Sequence, residues 1–215
     1  MKISCLILIF LSLRFISSIK VGENIKLPEP EKEGGMPLYE ALNKRKSQRD
    51  FDPNKKIDAN IISQALWSCY GLNRPEISKQ LKTTPSAKGW YPLLIYLFME
   101  DGVYNYTAKN HTVTKILEGD YRAMTGTQDY VANARVNFVV IADFKKKSAM
   151  DPDDAHKTRS MYMDTGHCTM GLYLFAASNN MKGVSRAMVD TDKLLELLGL
   201  KQGDYVFTLA FSLGY

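Results

Sequence analysis

Cysteine is scarce. The three in 215 residues, Cys5, Cys69 and Cys168, cannot build a disulfide framework, and with no C-x-x-C pair they offer no structural zinc site. His111, His156 and His167 are too scattered to make H-E-x-x-H or another metal-ligand spacing. The phosphate-cradling loops G-x-G-x-x-G and G-x-x-x-x-G-K-[ST] are also missing. No apolar run reaches the roughly 20 residues that a bilayer crossing needs. There is no internal repeat and no low-complexity tract. Neither charge sign dominates: 28 basic and 23 acidic side chains leave +5, which suits an anionic small ligand as well as nucleic acid. The cations gather in one cluster rather than a stripe, which argues against a nucleic-acid binder. Hydrophobic residues at 45% and charged residues at 24% are ordinary globular values, and a chain of this length buries about 70% of its surface, enough for a core without staples.

The N-terminus stands apart. Residues 1–18 pair a charged start (Lys2) and an apolar run, Ile3 to Leu13, with Arg14 and small Ser17 and Ser18, the pattern of a secretory signal. Cleavage would place the protein outside the cytoplasm, in a periplasm, a secretory lumen or the medium. Without cleavage it stays cytoplasmic, and in neither case is stable membrane insertion of the mature chain expected. Residues 19–37 read as an extended arm broken by proline and glycine, and residues 38–215 as one domain.

Within that domain, Leu38–Lys44 opens a helix after Pro37. A second helix follows Asp58, with Ile61, Ile62, Ala65, Leu66 and Cys69 at helical spacing. Residues 71–89 read as a loop. Leu93–Met99 and Val136–Ala142 are continuous apolar runs, the mark of buried strands, and Asp101-Gly102 turns the first into a hairpin at Val103–Tyr106. Residues 151–180 form a long helix whose second half is apolar almost all round, hence central. Thr191–Leu198 is a short helix and Tyr205–Phe211 a last strand. Without regular β-α-β alternation the class is α+β.

Three segments could carry chemistry. In Arg45-Lys46-Ser47-Gln48-Arg49-Asp50-Phe51, two arginine forks, a lysine and a hydroxyl can converge on one phosphate; the plainer reading is a solvated helix end. Thr84-Pro85-Ser86-Ala87-Lys88-Gly89-Trp90-Tyr91-Pro92 is a stiff loop whose backbone can lie against a flat ligand. Gly183-Val184-Ser185-Arg186-Ala187 imitates a hydrolase elbow, but no histidine follows Ser185. His167 and Cys168 read as packing residues of the long helix.

Taken together, residues 38–215 resemble the nitroreductase family of FMN-dependent oxidoreductases. The match rests on Arg45 to Phe51, on Pro85 to Pro92 and on Leu66-Trp67-Ser68-Cys69-Tyr70-Gly71-Leu72-Asn73-Arg74-Pro75. This last is similar to the branch of thiazoline and oxazoline dehydrogenases. Asp164 to Ser178 and Ser185 to Asp190 complete it. The resemblance implies a mixed sheet flanked by helices, with the long central helix at a homodimer interface and FMN sites built from both subunits. It implies that Arg45, Lys46, Ser47 and Arg49 hold phosphate and ribityl chain. Pro85, Ser86, Ala87 and Gly89 would approach from the other subunit, and Arg186 and Ala187 would lie along the ring. Gly89 stands where many members have asparagine and Tyr91 where glutamine is common. Many relatives continue past the position of Tyr215 to a basic residue, so phosphate binding here is expected to rest on the first cluster. Hydride would pass from NADH or NADPH through flavin N5 to nitroaromatic or quinone-like acceptors, with no catalytic side chain and no metal. Two alternatives stay open: a flavin dehydrogenase oxidising a small or peptide-derived heterocycle, and a flavin-binding protein without turnover.

Overall fold

The computed structural model describes residues 19–78, 80–146 and 153–215; the secretory signal expected at 1–18 lies outside them. In chain order the elements are β1 (Asn24–Lys26), α1 (Leu38–Lys44), α2 (Ala59–Tyr70), β2 (Leu93–Met99), β3 (Gly102–Thr107), β4 (Thr112–Glu118), β5 (Val136–Asp143), α3 (Asp154–Ser178), β6 (Lys182–Arg186), α4 (Thr191–Leu197) and β7 (Tyr205–Gly214). The strands form one sheet in the order β1-β4-β3-β2-β5-β7-β6. The α+β class holds, but every ladder is antiparallel, so the sheet is not mixed.

The apolar runs of β2 and β5 follow from their central place. Leu93, Ile95 and Leu97 of β2, with Val136, Phe138 and Val140 of β5, join a core shared with Leu66 of α2 and Leu172 of α3. Tyr96, Phe98, Val139 and Ile141 point to the other face, where Leu194 and Leu195 of α4 cover them. A strand buried on both faces loses the alternation of a half-exposed one.

The extended arm at 19–37 carries β1, which pairs with β4, Ile25 opposite Val113. The 71–89 loop also carries a bridge between Leu72 and Lys82 and a 3₁₀ turn at Ala87–Gly89. β4 itself has no clear apolar signature because Lys115 sits inside it. That lysine is 1% exposed, bound to Glu118 at 2.7 Å and 4.0 Å from Asp101. Gly102 leaves the room its side chain occupies, since a Cβ there would lie 2.6 Å from Lys115 Cε.

Candidate functional site

Side chains on two sides of α3 organise the candidate site. Asp164 and Tyr173 are nine residues apart, about 13.5 Å along the axis and about half a turn round it.

On the Tyr173 side, the segment after α1 docks onto β6. Gln48 donates its amide to the Gly183 carbonyl at 3.0 Å, and Lys182 Nζ reaches the Asp50 carboxylate at 2.8 Å. The Tyr173 hydroxyl lies 2.9 Å from Ser47 Oγ and 3.2 Å from Ser185 Oγ, and accepts the Ser185 amide at 2.9 Å. The Arg45 guanidinium stacks over its ring at 5.3 Å. Burial alone would raise the phenol; the hydrogen bonds from Ser185 and Ser47, with the charge of Arg45, outweigh it and hold the group below its usual value. Arg45, Lys46 and Arg49 have no carboxylate within ion-pair distance among the described residues, whereas neighbouring Lys44 pairs with Glu40 and Lys182 with Asp50. Free cations beside a hydroxyl, on a largely exposed segment, suit a phosphate.

On the other side, the buried Asp164 carboxylate accepts Ser86 Oγ at 2.5 Å and the Ala87 amide at 3.0 Å. Ser86 Oγ in turn accepts the Tyr91 amide at 2.8 Å. The backbone here is wound left-handed at Lys88, Gly89 and Tyr91, with φ of 52°, 66° and 49°. A Cβ at Gly89 would meet nothing within 4 Å, so the loop turns a bare strip of backbone outward.

One chain therefore unites Arg45, Lys46, Ser47 and Arg49 with the β6 segment that runs into Ala187. It keeps Pro85, Ser86, Ala87 and Gly89 on the far flank of α3. Arg186 requires a correction: its side chain does not line the candidate site. The guanidinium is buried, donating to Ser212 Oγ at 3.0 Å, to Thr125 Oγ1 and Asn137 Oδ1 at 2.8 Å each, and to the Thr125 carbonyl. Gly126 makes room, since a Cβ there would run into the guanidinium. With only neutral partners, burial pushes Arg186 down to about 10. Only the main chain of Arg186 can face a ligand, while Ala187 is exposed. His167 is likewise exposed rather than packed, and Cys168 is buried as expected. Ser185 lies within β6 with its oxygen beside Tyr173, not on a strand-to-helix elbow. Sequence reasoning missed the roles of Asp164 and Tyr173; a carboxylate at the head of the apolar half of α3 was the available signal.

The sequence model of the Nitroreductase family matches residues 42–215. A protein of Methanocaldococcus jannaschii, provisionally named a nitroreductase, is 28% identical over 188 residues, covering 83% of this chain and 90% of its own. A crystal structure from Ralstonia eutropha JMP134, also provisionally named a nitroreductase, superposes with a TM-score of 0.82 at 29% identity, covering 92% of this chain and 91% of that one. A third, from Desulfovibrio desulfuricans and in complex with FMN, shares the fold at a TM-score of 0.59 and 16% identity, covering 84% of this chain and 87% of that one.

Proposed function

We propose that this chain, which belongs to the nitroreductase family, is an FMN-dependent oxidoreductase that carries hydride from NADH or NADPH to a flat acceptor of the nitroaromatic or quinone type. The observation that carries this reading is the set of three cations without carboxylate partners among the described residues, Arg45, Lys46 and Arg49, on a segment tied to α3 by Ser47 and to β6 by Gln48. An FMN phosphate needs about two positive charges, best delivered by arginine forks, so the residues present fit the group.

Bound FMN supplies the hydride chemistry, at its N5. The chain supplies position. Arg45, Lys46 and Arg49 would neutralise the phosphate, and Ser47, oriented by Tyr173, would meet the ribityl chain. The inward anchor of Arg186 fixes the main chain that leads to Ala187, which would lie along the flavin ring. The half-turn between Asp164 and Tyr173 keeps Pro85–Gly89 away from this chain's own cation loop. A homodimer in which each loop covers its partner's flavin resolves that separation. No side chain is called on to move a proton. His111 is engaged between Ser63 and Tyr106, Ser185 is held by Tyr173, and Cys168 is sealed in the core.

The test begins with the absorption spectrum of the purified protein and identification of the flavin released on denaturation. Oxidation of NADH and NADPH with a quinone acceptor and sedimentation at micromolar concentration follow. FMN, turnover and a dimer are expected. Flavin bound without nicotinamide oxidation would remove the reductase assignment, and no affinity for added FMN would remove the whole reading.

A further inference from the structure

Beside the 85–91 loop, the described residues line a solvent-open cavity of about 320 Å³ to which none of Arg45, Lys46, Arg49 or the β6 residues contributes. One part of its wall is aromatic. Tyr70 of α2 and Tyr91 meet edge to face, their ring centroids 6.4 Å apart, and Tyr106 of β3 adds a third ring. Lys82 reaches across both of the first two, its Nζ 4.7 Å from the Tyr70 centroid and 4.3 Å from that of Tyr91. Among the described residues its hydrogen bond goes to the Gln80 carbonyl, at 3.3 Å. Lys146 comes from beyond β5 and donates to the Tyr91 carbonyl at 2.7 Å.

The charges in this cavity do not balance. Lys82, Lys109 and Lys146 face one carboxylate, Asp143, and that carboxylate already accepts the Lys145 amide at 3.0 Å. Among the described residues no carboxylate comes within ion-pair distance of Lys82 or Lys146. Burial pushes Lys82 down to about 8, with Lys146 adding to the effect. Burial also lowers Lys146, against the opposing pull of Asp143. Two ammonium groups held half out of water, one of them over aromatic faces, gain most from an anion that also brings a ring.

We propose that this cavity binds a small aromatic oxyanion, its carboxylate or phosphate group between Lys82 and Lys146 and its ring against Tyr70 and Tyr91. The neutral rings select a planar body, since stacked and edge-on aromatic pairs are favourable. The lysines supply charge-assisted hydrogen bonds. The site does not depend on the flavin reading, because it shares no residue with the 45–49 loop. It does adjoin that chemistry through Tyr91, whose amide is tied to Ser86 and whose carbonyl is tied to Lys146. A ligand that draws Lys146 away from that carbonyl would slacken the 85–91 loop.

The test is calorimetric titration of the purified protein with benzoate, phenyl phosphate, inorganic phosphate and benzyl alcohol, with and without saturating FMN. At least one aromatic anion should bind tenfold or more tighter than both inorganic phosphate and benzyl alcohol, and the stronger of the two identifies carboxylate or phosphate as the group. Binding should weaken as pH rises through 8, where Lys82 loses its proton. Lys82→Gln and Lys146→Gln should each cost tenfold or more, while Lys82→Arg, which keeps the charge, should bind within threefold of the native protein and so separates lost charge from lost fold. Equal binding of inorganic phosphate, no binding of either aromatic anion, or native affinity in Lys82→Gln would overturn the proposal. So would loss of binding when FMN is added, since that would assign the anion to Arg45, Lys46 and Arg49 instead.

Discussion

The loops at 45–49 and 85–91 are both pinned to α3, and by different chemistries. Tyr173 holds the first through neutral hydroxyl contacts and the stacking of Arg45, and leaves its cations without carboxylate partners among the described residues. Asp164 holds the second through a buried carboxylate, and the loop beyond it is wound through three positive φ angles. Charge proposed to meet a phosphate is therefore kept clear of carboxylates, with Lys46 and Arg49 exposed. The shape of the second loop is held by a buried carboxylate, because left-handed backbone at Lys88 and Tyr91 has a cost that something must offset.

The largest effect should come from the carboxylate side. Asp164→Ala removes two charge-assisted hydrogen bonds and strands the Ser86 hydroxyl and the Ala87 amide, an expected loss of about 3–5 kcal/mol. Urea unfolding should show a lower midpoint with unchanged slope, and Asp164→Asn should recover much of the loss. A loss in Asp164→Ala below 1 kcal/mol would erase the contrast between the two clamps.

Next comes Arg49→Ala, which should leave stability nearly untouched because Arg49 is exposed. It should weaken FMN binding by about 10- to 100-fold, or about 1.5–3 kcal/mol, read from flavin titration of the apo protein. Full affinity in that variant would remove the cation loop from the site.

Tyr173→Phe should be milder. The hydroxyl contacts to Ser47 and Ser185 go and the ring stays, including its edge-to-face packing on Phe211 at 4.8 Å. About 1 kcal/mol of stability and a few-fold loss of FMN affinity are expected. A hundredfold loss would make the tyrosine a direct ligand contact rather than an organiser.

The smallest effect is a control remote from both loops. His111 lies between Ser63 Oγ at 2.7 Å and Tyr106 Oη at 2.9 Å, and Ser63 donates to the Pro28 carbonyl at 2.5 Å. Its Nε2 therefore carries the proton and its Nδ1 accepts from Tyr106. Burial, helped by Lys26, holds the imidazole below its usual value. The unfolded chain takes up that proton near about pH 6.5, so the stabilisation is complete above that pH and is lost as pH falls through it toward the folded value. Melting temperature should drop on acidification in the native protein and less in His111→Gln. Equal drops would show that His111 does not sense pH.

How much of this was legible in the sequence depended on whether one residue could announce its surroundings. β2 and α2 were readable to their ends, because a seven-residue apolar run and an Asp58 cap at 2.9 Å from the Ile61 amide are local signals. β1 and β4 were not, because a buried lysine breaks the apolar pattern of β4 and a three-residue strand has no pattern of its own. The cation loop could be read as a cluster, and its lack of carboxylate partners could not. Arg186 was expected along the ring because Ser185 to Asp190 resembles the family's strand beside the flavin. Its commitment to Thr125, Asn137 and Ser212 depends on contacts 26 to 61 residues away, which spacing alone does not reveal. Lys82 gave no signal, because the rings it covers, Tyr70 and Tyr91, come from opposite sides in sequence.

The position of β7 governs when the cation site can exist. It is the last strand in the chain order, yet it lies inside the sheet, with β5 on one side and β6 on the other. The 45–49 loop rests on β6, and β6 reaches the sheet only through β7. On a ribosome, residues 45–49 emerge long before the surface that will hold them, and the docking surface on β6 is completed only once Tyr205–Gly214 has been made and paired. Such long-range closure is slow compared with helix formation. Under the proposed function, FMN offered to the growing chain would meet the 45–49 loop unanchored until β7 has paired, and cofactor loading would follow folding rather than guide it.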